Sequence, residues 1–257
     1  MRLKILTYNV NGIRSALSKN LIRMLERENP DIVCLQEIKA LPEQIDESVF
    51  ASLGYHCYWY SAQKKGYSGV GILSKIKPNE LKYGVGHDVF DYEGRILQAD
   101  YDGFSVISVY FPSGTTGSLR QDVKFAFLDY FYNHLDYLKS MIPNLVVCGD
   151  YNICHEPIDI HDPVGNKNST GFLPEERAWM SALFKNGFTD TFRFMNPGVK
   201  HQYTWWTFRA NARTNNKGWR IDYISVTEGL NSKIVDAKIL PDDIQSDHCA
   251  SYTVLDL

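Results

Sequence analysis

The feature that most constrains this chain is a series of short apolar runs, each cut off by a polar residue or a turn former. They are Leu3–Val10, Ile32–Gln36, Gly69–Leu73, Ile96–Tyr101, Ser105–Phe111, Leu145–Cys148, Tyr223–Val226 and Ala250–Leu255. All are rich in Val, Ile, Leu and Tyr and are bounded by Gly, Pro, Asn or Asp, which is how strands read. Asp102-Gly103 joins two of them and is a strong hairpin signal, so those strands run antiparallel and the sheets are mixed.

Helical patterns fall between the runs. Leu17, Leu21, Met24, Leu25 and Glu28 follow a stripe that stops at Asn29-Pro30. Val123, Phe127, Phe131, Leu135 and Leu138 mark a longer amphipathic helix, and Pro174, Glu175 and Glu176 open a third that ends before Gly187. Helices separated by hairpins predict an α/β fold of two packed mixed sheets flanked by helices. The 257 residues contain no linker, low-complexity tract or solenoid repeat, so a single domain over 1–257 is expected.

Several function classes are excluded early. At 44% hydrophobic residues the chain can fill a core and is not disordered. No apolar run reaches the roughly 18 residues of a spanning helix, so no membrane role is expected. The 5 cysteines (Cys34, Cys57, Cys148, Cys154 and Cys249) are scattered without C-x-x-C spacing, which indicates neither a disulfide framework nor a zinc knuckle. Polar residues interrupt Met1–Gly12 too soon for a secretory signal, so a reducing, cytoplasmic setting is expected. No H-E-x-x-H, G-x-S-x-G, phosphate-loop or Rossmann glycine motif is present. His155 and His161 read as loop residues, and no apolar stripe calls for more than a monomer.

Chemistry enters where the apolar runs stop. Asn9 and Asn11 end the first, Gln36 and Glu37 the second, and Asp150 and Asn152 the run from Leu145; Asp247-His248 precedes the last. If those ends meet, they form an oxygen-rich pocket with an imidazole beside it. Such a pocket suits a hard cation such as Mg2+, which takes one or two carboxylates and a phosphate oxygen. Glu37 is the best single ligand, with Asp247 and the amide oxygens of Asn9 and Asn11 around it. The competing reading is that strand-end Asp and Asn make turns, as they often do.

A net charge of −3 speaks against nucleic-acid binding unless basic residues are concentrated locally. The segment 201–220 concentrates them: Arg209, Arg213, Lys217 and Arg220 occur with no Asp or Glu. They interleave with Trp205, Trp206 and Trp219, as stacking on sugars or bases beside phosphates requires. A buried aromatic cluster is the alternative, expected for one of Trp205 and Trp206. Asp222 closes the segment and would raise the pKa of a neighbouring histidine.

In this order the motifs resemble the exonuclease III family of DNA-repair nucleases, within the wider endonuclease/exonuclease/phosphatase superfamily. The matching pieces are Asn9-Val-Asn-Gly12, Leu35-Gln-Glu37, Gly66-Tyr-Ser-Gly-Val-Gly71, Glu93-Gly-Arg95 and Tyr110-Phe-Pro112. Gly149-Asp-Tyr-Asn152, Gly171-Phe-Leu-Pro-Glu-Glu-Arg177, Gly218-Trp-Arg-Ile-Asp-Tyr223 and Ser246-Asp-His248 complete the set. The resemblance implies a four-layer α/β sandwich with its site at one end of both sheets. It implies a phosphodiesterase that cuts double-stranded DNA 5′ of abasic sites and trims 3′ ends, with Mg2+, or alternatively Mn2+, as cofactor.

Carried over residue by residue, Glu37 holds the metal, assisted by Asp247, Asn9 and Asn11. Asp150, held by Asn152 and bordering the metal with it, deprotonates the attacking water. His248, paired with Asp222, and Tyr110 contact the scissile phosphate. Trp205 and Trp219 line the sugar pocket, and Asn166 approaches the phosphate. The chain departs from the animal branch at Asn11 (Asp there), Ser169 (Asn) and Thr116 (Arg), which bears on the balance of incision and exonuclease activity. An N-terminal regulatory extension is not expected. Two other readings stay open: a relative acting on a phosphoinositide or RNA, and a non-catalytic DNA-binding protein.

Overall fold

The computed structural model describes residues 1–257. Its strands are β1 (Arg2–Asn9), β2 (Ile32–Gln36), β3 (His56–Tyr60), β4 (Val70–Ser74), β5 (Glu80–Tyr83) and β6 (Ile96–Tyr101). They continue with β7 (Phe104–Tyr110), β8 (Leu145–Asp150), β9 (Phe188–Asp190), β10 (Asp222–Thr227), β11 (Ile234–Leu240) and β12 (Ala250–Asp256). The helices are α1 (Ile13–Ser18), α2 (Leu21–Glu28), α3 (Ser48–Ala51), α4 (Asp88–Tyr92), α5 (Ser118–Met141), α6 (Pro174–Lys185) and α7 (Thr191–Met195).

The strands form two 6-stranded sheets, ordered β11-β12-β1-β2-β4-β3 and β5-β6-β7-β8-β10-β9. Each sheet carries one parallel pair at its centre, β1 with β2 and β7 with β8, and antiparallel pairs elsewhere. The two sheets therefore repeat one pairing pattern. Both parallel connections cross over through helices, α1–α2 in one sheet and α5 in the other, as parallel strands require.

Three apolar cores make this a four-layer α/β sandwich. Leu3, Ile5, Cys34 and Ile72 of one sheet meet Ala99, Val106, Val146 and Cys148 of the other. The opposite faces of the same strands pack on helices: Leu6, Tyr8 and Val33 against Leu21, Met24 and Leu25, and Val109 and Val147 against Phe127, Phe131 and Met180. A central strand is thus buried on both faces and reads as a continuous apolar run. A one-residue slip would exchange the two faces of a strand, and with about 1.5–3 kcal/mol at each large apolar side chain the register is firmly set.

The strands absent from the sequence reading, β3, β5, β9 and β11, are the four sheet edges. An edge meets water on part of its surface, so its apolar pattern is broken, as in the sequence Ile-Val-Asp-Ala-Lys-Ile-Leu of β11. The stripe from Leu17 to Glu28 is not one helix. Asn20 adopts a left-handed φ of 66° and separates α1 from α2. In α5 the buried face holds Lys124 with Phe127, Leu128, Phe131, Leu135 and Leu138, whereas Val123 is only partly buried. No helix is long and apolar enough to cross a membrane.

Candidate active site

Strand register brings the polar strand ends together. Asn9 is the partner of Gln36 across β1 and β2, and Tyr110 of Asp150 across β7 and β8; Asp222 at the start of β10 faces Asp150. Asn9, Gln36, Tyr110 and Asp150 are the carboxyl ends of the parallel pairs, where open α/β sheets gather ligands. Beneath them a polar ladder crosses between the sheets: Thr7 Oγ1 donates to Gln36 Oε1 (3.2 Å) and Gln36 Nε2 to Ser108 Oγ (3.2 Å). The ladder fixes one sheet against the other, so Glu37 and Asp150 come to the same rim.

At that rim the chain bends through left-handed residues, Asn11 (φ 44°), Glu37 (φ 50°) and Asn152 (φ 53°). Asparagine visits this region readily. Glutamate does not, and Glu37 sits there at a cost of about 1–3 kcal/mol. Its backbone is held by Gly12 N–H donating to Glu37 O (2.8 Å) and Ile38 N–H to Gly69 O (3.1 Å).

The side chains form one connected array. Asn9 Nδ2 donates to both Glu37 Oε1 (2.8 Å) and Asp150 Oδ2 (2.9 Å), while its oxygen accepts the N–H of Asn11 (3.0 Å). Asn11 Nδ2 donates to Asp247 Oδ1 (2.9 Å), and the other oxygen of Asp247 accepts the indole N–H of Trp205 (3.0 Å). Asp150 Oδ1 accepts the N–H of Asn152 (2.8 Å). His248 Nδ1 lies 2.8 Å from Asp222 Oδ2, and its Nε2 is 3.8 Å from Asp150 Oδ2. These groups open onto a cavity of about 380 Å3 walled by Trp205, Trp219, Ile221 and Tyr110.

Burial pushes the Asp150 carboxyl up to about 8, and Asp222 and Glu37 add to the rise. Burial opposes the charged form of His248, but Asp222, Asp150 and Asp247 outweigh it and hold the imidazolium to about 10. Burial likewise opposes ionisation of Asp247, and His248, Asn11 and Trp205 overcome it to keep that carboxyl low. Burial drives the Tyr110 phenol well above its ordinary value, so it stays protonated and can donate.

The donor set fits a hard cation. One atom each from Glu37, Asp150 and His248 lies within 4.8 Å of the others. A protonated imidazole has no lone pair for a metal, which leaves the oxygens of Glu37, Asp150 and Asp247, with the amide oxygens of Asn9, Asn11 and Asn152, as the groups that could hold one. Glu37 already draws in a cation, the ammonium of Lys39, whose Nζ is 2.8 Å from Glu37 Oε2 and 2.5 Å from Asn11 Oδ1.

The structure thus gathers Asn9, Asn11, Glu37, Tyr110, Asp150, Asn152, Trp205, Trp219, Asp222, Asp247 and His248 into one array. Asn166 lies apart from the cavity wall. Its Nδ2 donates to the carbonyls of His161 and Asp162, and so holds its own loop. The basic segment divides in two. Arg209 and Lys217 are exposed, whereas Arg220 is buried against Asp159 and Asp190. Arg213 stacks on Trp206 and donates to the carbonyls of Ser246 and His248. Of the two adjacent tryptophans, Trp206 is the one in the buried cluster.

Sequence reasoning missed Lys39, Lys124 and Ile221. A lysine on the apolar face of α5 was the available signal for Lys124. Nothing local marked the other two.

Carboxylates, amides and an imidazolium at the shared rim of two sheets define a hydrolytic enzyme of the four-layer α/β class. The pattern of the Endonuclease/Exonuclease/phosphatase family matches residues 6–248, and the chain belongs to that family of metal-dependent nucleases. It is 37% identical to the exodeoxyribonuclease of Bacillus subtilis over 256 residues, 99% of this chain and 100% of that one. It is 41% identical to Recombination repair protein 1 of Drosophila melanogaster over 247 residues, 96% of this chain but 36% of that protein. The solved structure of an AP endonuclease from Archaeoglobus fulgidus superposes with a TM-score of 0.91 at 32% identity, covering 99% of this chain and 100% of that one.

Proposed function

We propose that this chain is a DNA-repair phosphodiesterase that incises double-stranded DNA 5′ of abasic sites and trims 3′ ends. It works as a cytoplasmic monomer whose one catalytic domain spans 1–257, with Mg2+ as its metal and Mn2+ as a substitute. The observation that carries the reading is Asp150, buried, held by Asn9 and the N–H of Asn152, and lying 3.8 Å from the imidazolium of His248 on the lining of a tryptophan-walled cavity. Identity to an exodeoxyribonuclease along its whole length supports DNA as substrate.

In the reaction Asp150, its carboxylate oriented by the N–H of Asn152, takes the proton of a water whose oxygen bonds to phosphorus as the bond from phosphorus to the 3′ oxygen breaks, and that oxygen leaves as a 3′-hydroxyl after taking a proton from solvent. His248 and Tyr110 donate to the phosphoryl oxygens, and Asp222 keeps His248 charged as it does so. Trp205, Trp219 and Ile221 enclose the sugar and exclude water. Glu37, Asp247 and Asp150 would hold the cation, which when bound offsets phosphoryl charge and draws Asp150 toward its carboxylate form. A placed base supplies about 10^2–10^4 in rate and a well-aimed donor about 10^2–10^3, so the full acceleration needs these groups together.

The test is incision of a duplex oligonucleotide carrying one abasic-site analogue, with Mg2+ and with EDTA, for the wild type and Asp150→Asn. Metal-dependent cleavage immediately 5′ of the lesion, lost in Asp150→Asn with DNA binding retained, is expected. Shortening of undamaged 3′ ends alone would remove the abasic-site assignment. A folded protein that cuts neither would remove both.

A further inference from the structure

Behind Asn152 lies a charged pair that the mechanism above does not use. Lys124 of α5 and Glu176 of α6 are both fully buried, with Nζ 2.5 Å from Oε1. Lys124 borders the cavity and also donates to the backbone carbonyl of Asn152 (2.8 Å). Glu176 Oε2 accepts the N–H of Gly171 (2.6 Å) and of Leu173 (3.0 Å), while Oε1 also takes Gln121 Nε2 (3.1 Å).

Removing two charges from water is costly, and replacing a buried pair by apolar groups is often neutral or stabilising. The apolar core itself does not call for the two charges, although Glu176 also satisfies the N–H groups of Gly171 and Leu173, which an apolar side chain would leave without an acceptor. The distinctive property of this pair is what it grips. On one side is the carbonyl of Asn152, the left-handed residue whose N–H orients Asp150. On the other is the turn at Gly171, which packs so tightly that a Cβ there would come to 3.0 Å from the Trp219 ring and 3.1 Å from the Asn152 carbonyl.

We propose that Lys124 and Glu176 are positioning residues, an ionic clamp that sets Asn152, and through it Asp150, against the Trp219 wall of the cavity. This rests on the assignment of Asp150 as the catalytic carboxylate. The clamp acts through backbone atoms: Lys124 pulls on the Asn152 carbonyl, Glu176 holds the turn facing it, and the ion pair joins the two. With the pair gone, Asn152 is free to shift by a fraction of an ångström and carry Asp150 with it.

The test uses the full chain and an abasic-site duplex. Lys124→Met/Glu176→Gln removes both charges while keeping the volume, and Lys124→Arg keeps the cation and its donors. The double variant is expected to fold, to lose about 10–100-fold in kcat, and to change KM by less than about threefold, as misplacement of a catalytic group does. Lys124→Arg is expected to recover most of the lost kcat. A folded double variant with wild-type kcat overturns the proposal, as does a rise in KM at unchanged kcat. If the double variant fails to fold, Glu176→Gln alone, which keeps an acceptor for Gly171, is held to the same kcat criterion. Asp150→Asn runs alongside: activity there refutes the underlying assignment, whereas an inactive Asp150→Asn beside a fully active double variant refutes the clamp alone.

Discussion

Asp159, in the interior of this protein, holds two arginines, and Asp159→Asn measures what that contributes to stability. Its Oδ1 accepts from Arg220 Nε (2.8 Å) and from Arg193 Nη2 (2.6 Å), and the Asp159 and Arg220 side chains are each 1% exposed. Arg220 Nη2 also lies 2.7 Å from Asp190 Oδ2, close enough for an ion pair though not aligned as a hydrogen bond. Burial works against the Asp159 carboxylate, but the two guanidiniums bring its pKa from the usual 3.8 to about 2. At about 1.4 kcal/mol per tenfold change that fall corresponds to about 2–3 kcal/mol.

The substitution also leaves Arg220 with Asp190 as its one carboxylate, and removing one partner from a buried ion pair costs about 3–5 kcal/mol. At about 2–4 °C per kcal/mol for a chain of this size, Tm should fall by about 6–20 °C. Urea unfolding followed by circular dichroism and tryptophan fluorescence measures the gap. Because the pKa is depressed, the stabilisation is complete above 3.8 and is lost as pH falls through about 2. The gap between wild type and variant should therefore hold from neutral pH to about 4 and narrow by about 2–3 kcal/mol below that. A variant within about 1 kcal/mol of the wild type at pH 7, or a gap that ignores acid, would refute the reasoning.

Other outcomes follow from the same geometry. Asp222→Asn removes the largest attraction on His248, so kcat/KM should fall as pH rises through the ordinary histidine value of 6.5; in the wild type the ring stays charged toward about 10. An unchanged pH profile would dismiss the imidazolium. Glu37→Ala should raise the Mg2+ concentration for half-maximal incision by about tenfold or more, since a hard cation loses one of its few carboxylates; an unshifted titration removes Glu37 as a ligand. Gly149→Ala places a Cβ 1.8 Å from the carbonyl oxygen of Val109, on the parallel partner strand. Such overpacking should destabilise the fold by about 3 kcal/mol or more, read as a drop in the urea midpoint.

How much was legible beforehand depended on where a residue's partners lie. The inner strands β1, β2, β4, β6, β7, β8, β10 and β12 were readable because both faces are buried and the runs stay apolar. The break at Asn20 was hidden because Leu17, Leu21 and Met24 keep a helical spacing across it. Asn9, Glu37 and Asp150 stood out as polar residues ending apolar runs and His248 as one preceding the last, and their place in a family motif supplied expected roles that spacing could not. Arg220 was misjudged as part of a phosphate-binding surface. Its partners Asp159 and Asp190 lie far away in sequence, and nothing next to it says that the guanidinium is buried.

Local pattern marked the strands that build the middle of the sandwich and the polar residues at their ends, and the motifs along the chain carried its resemblance to a nuclease family. Packing alone showed which cations lie at the surface and which are buried, that the amide nitrogen of Asn9 bridges Glu37 and Asp150, and that Lys124 and Glu176 meet behind Asn152. The physical reason is range. Apolar periodicity and turn chemistry are local and leave a mark on neighbouring residues. The protonation and pairing of a buried charge depend on groups brought alongside it by packing two sheets and their helices.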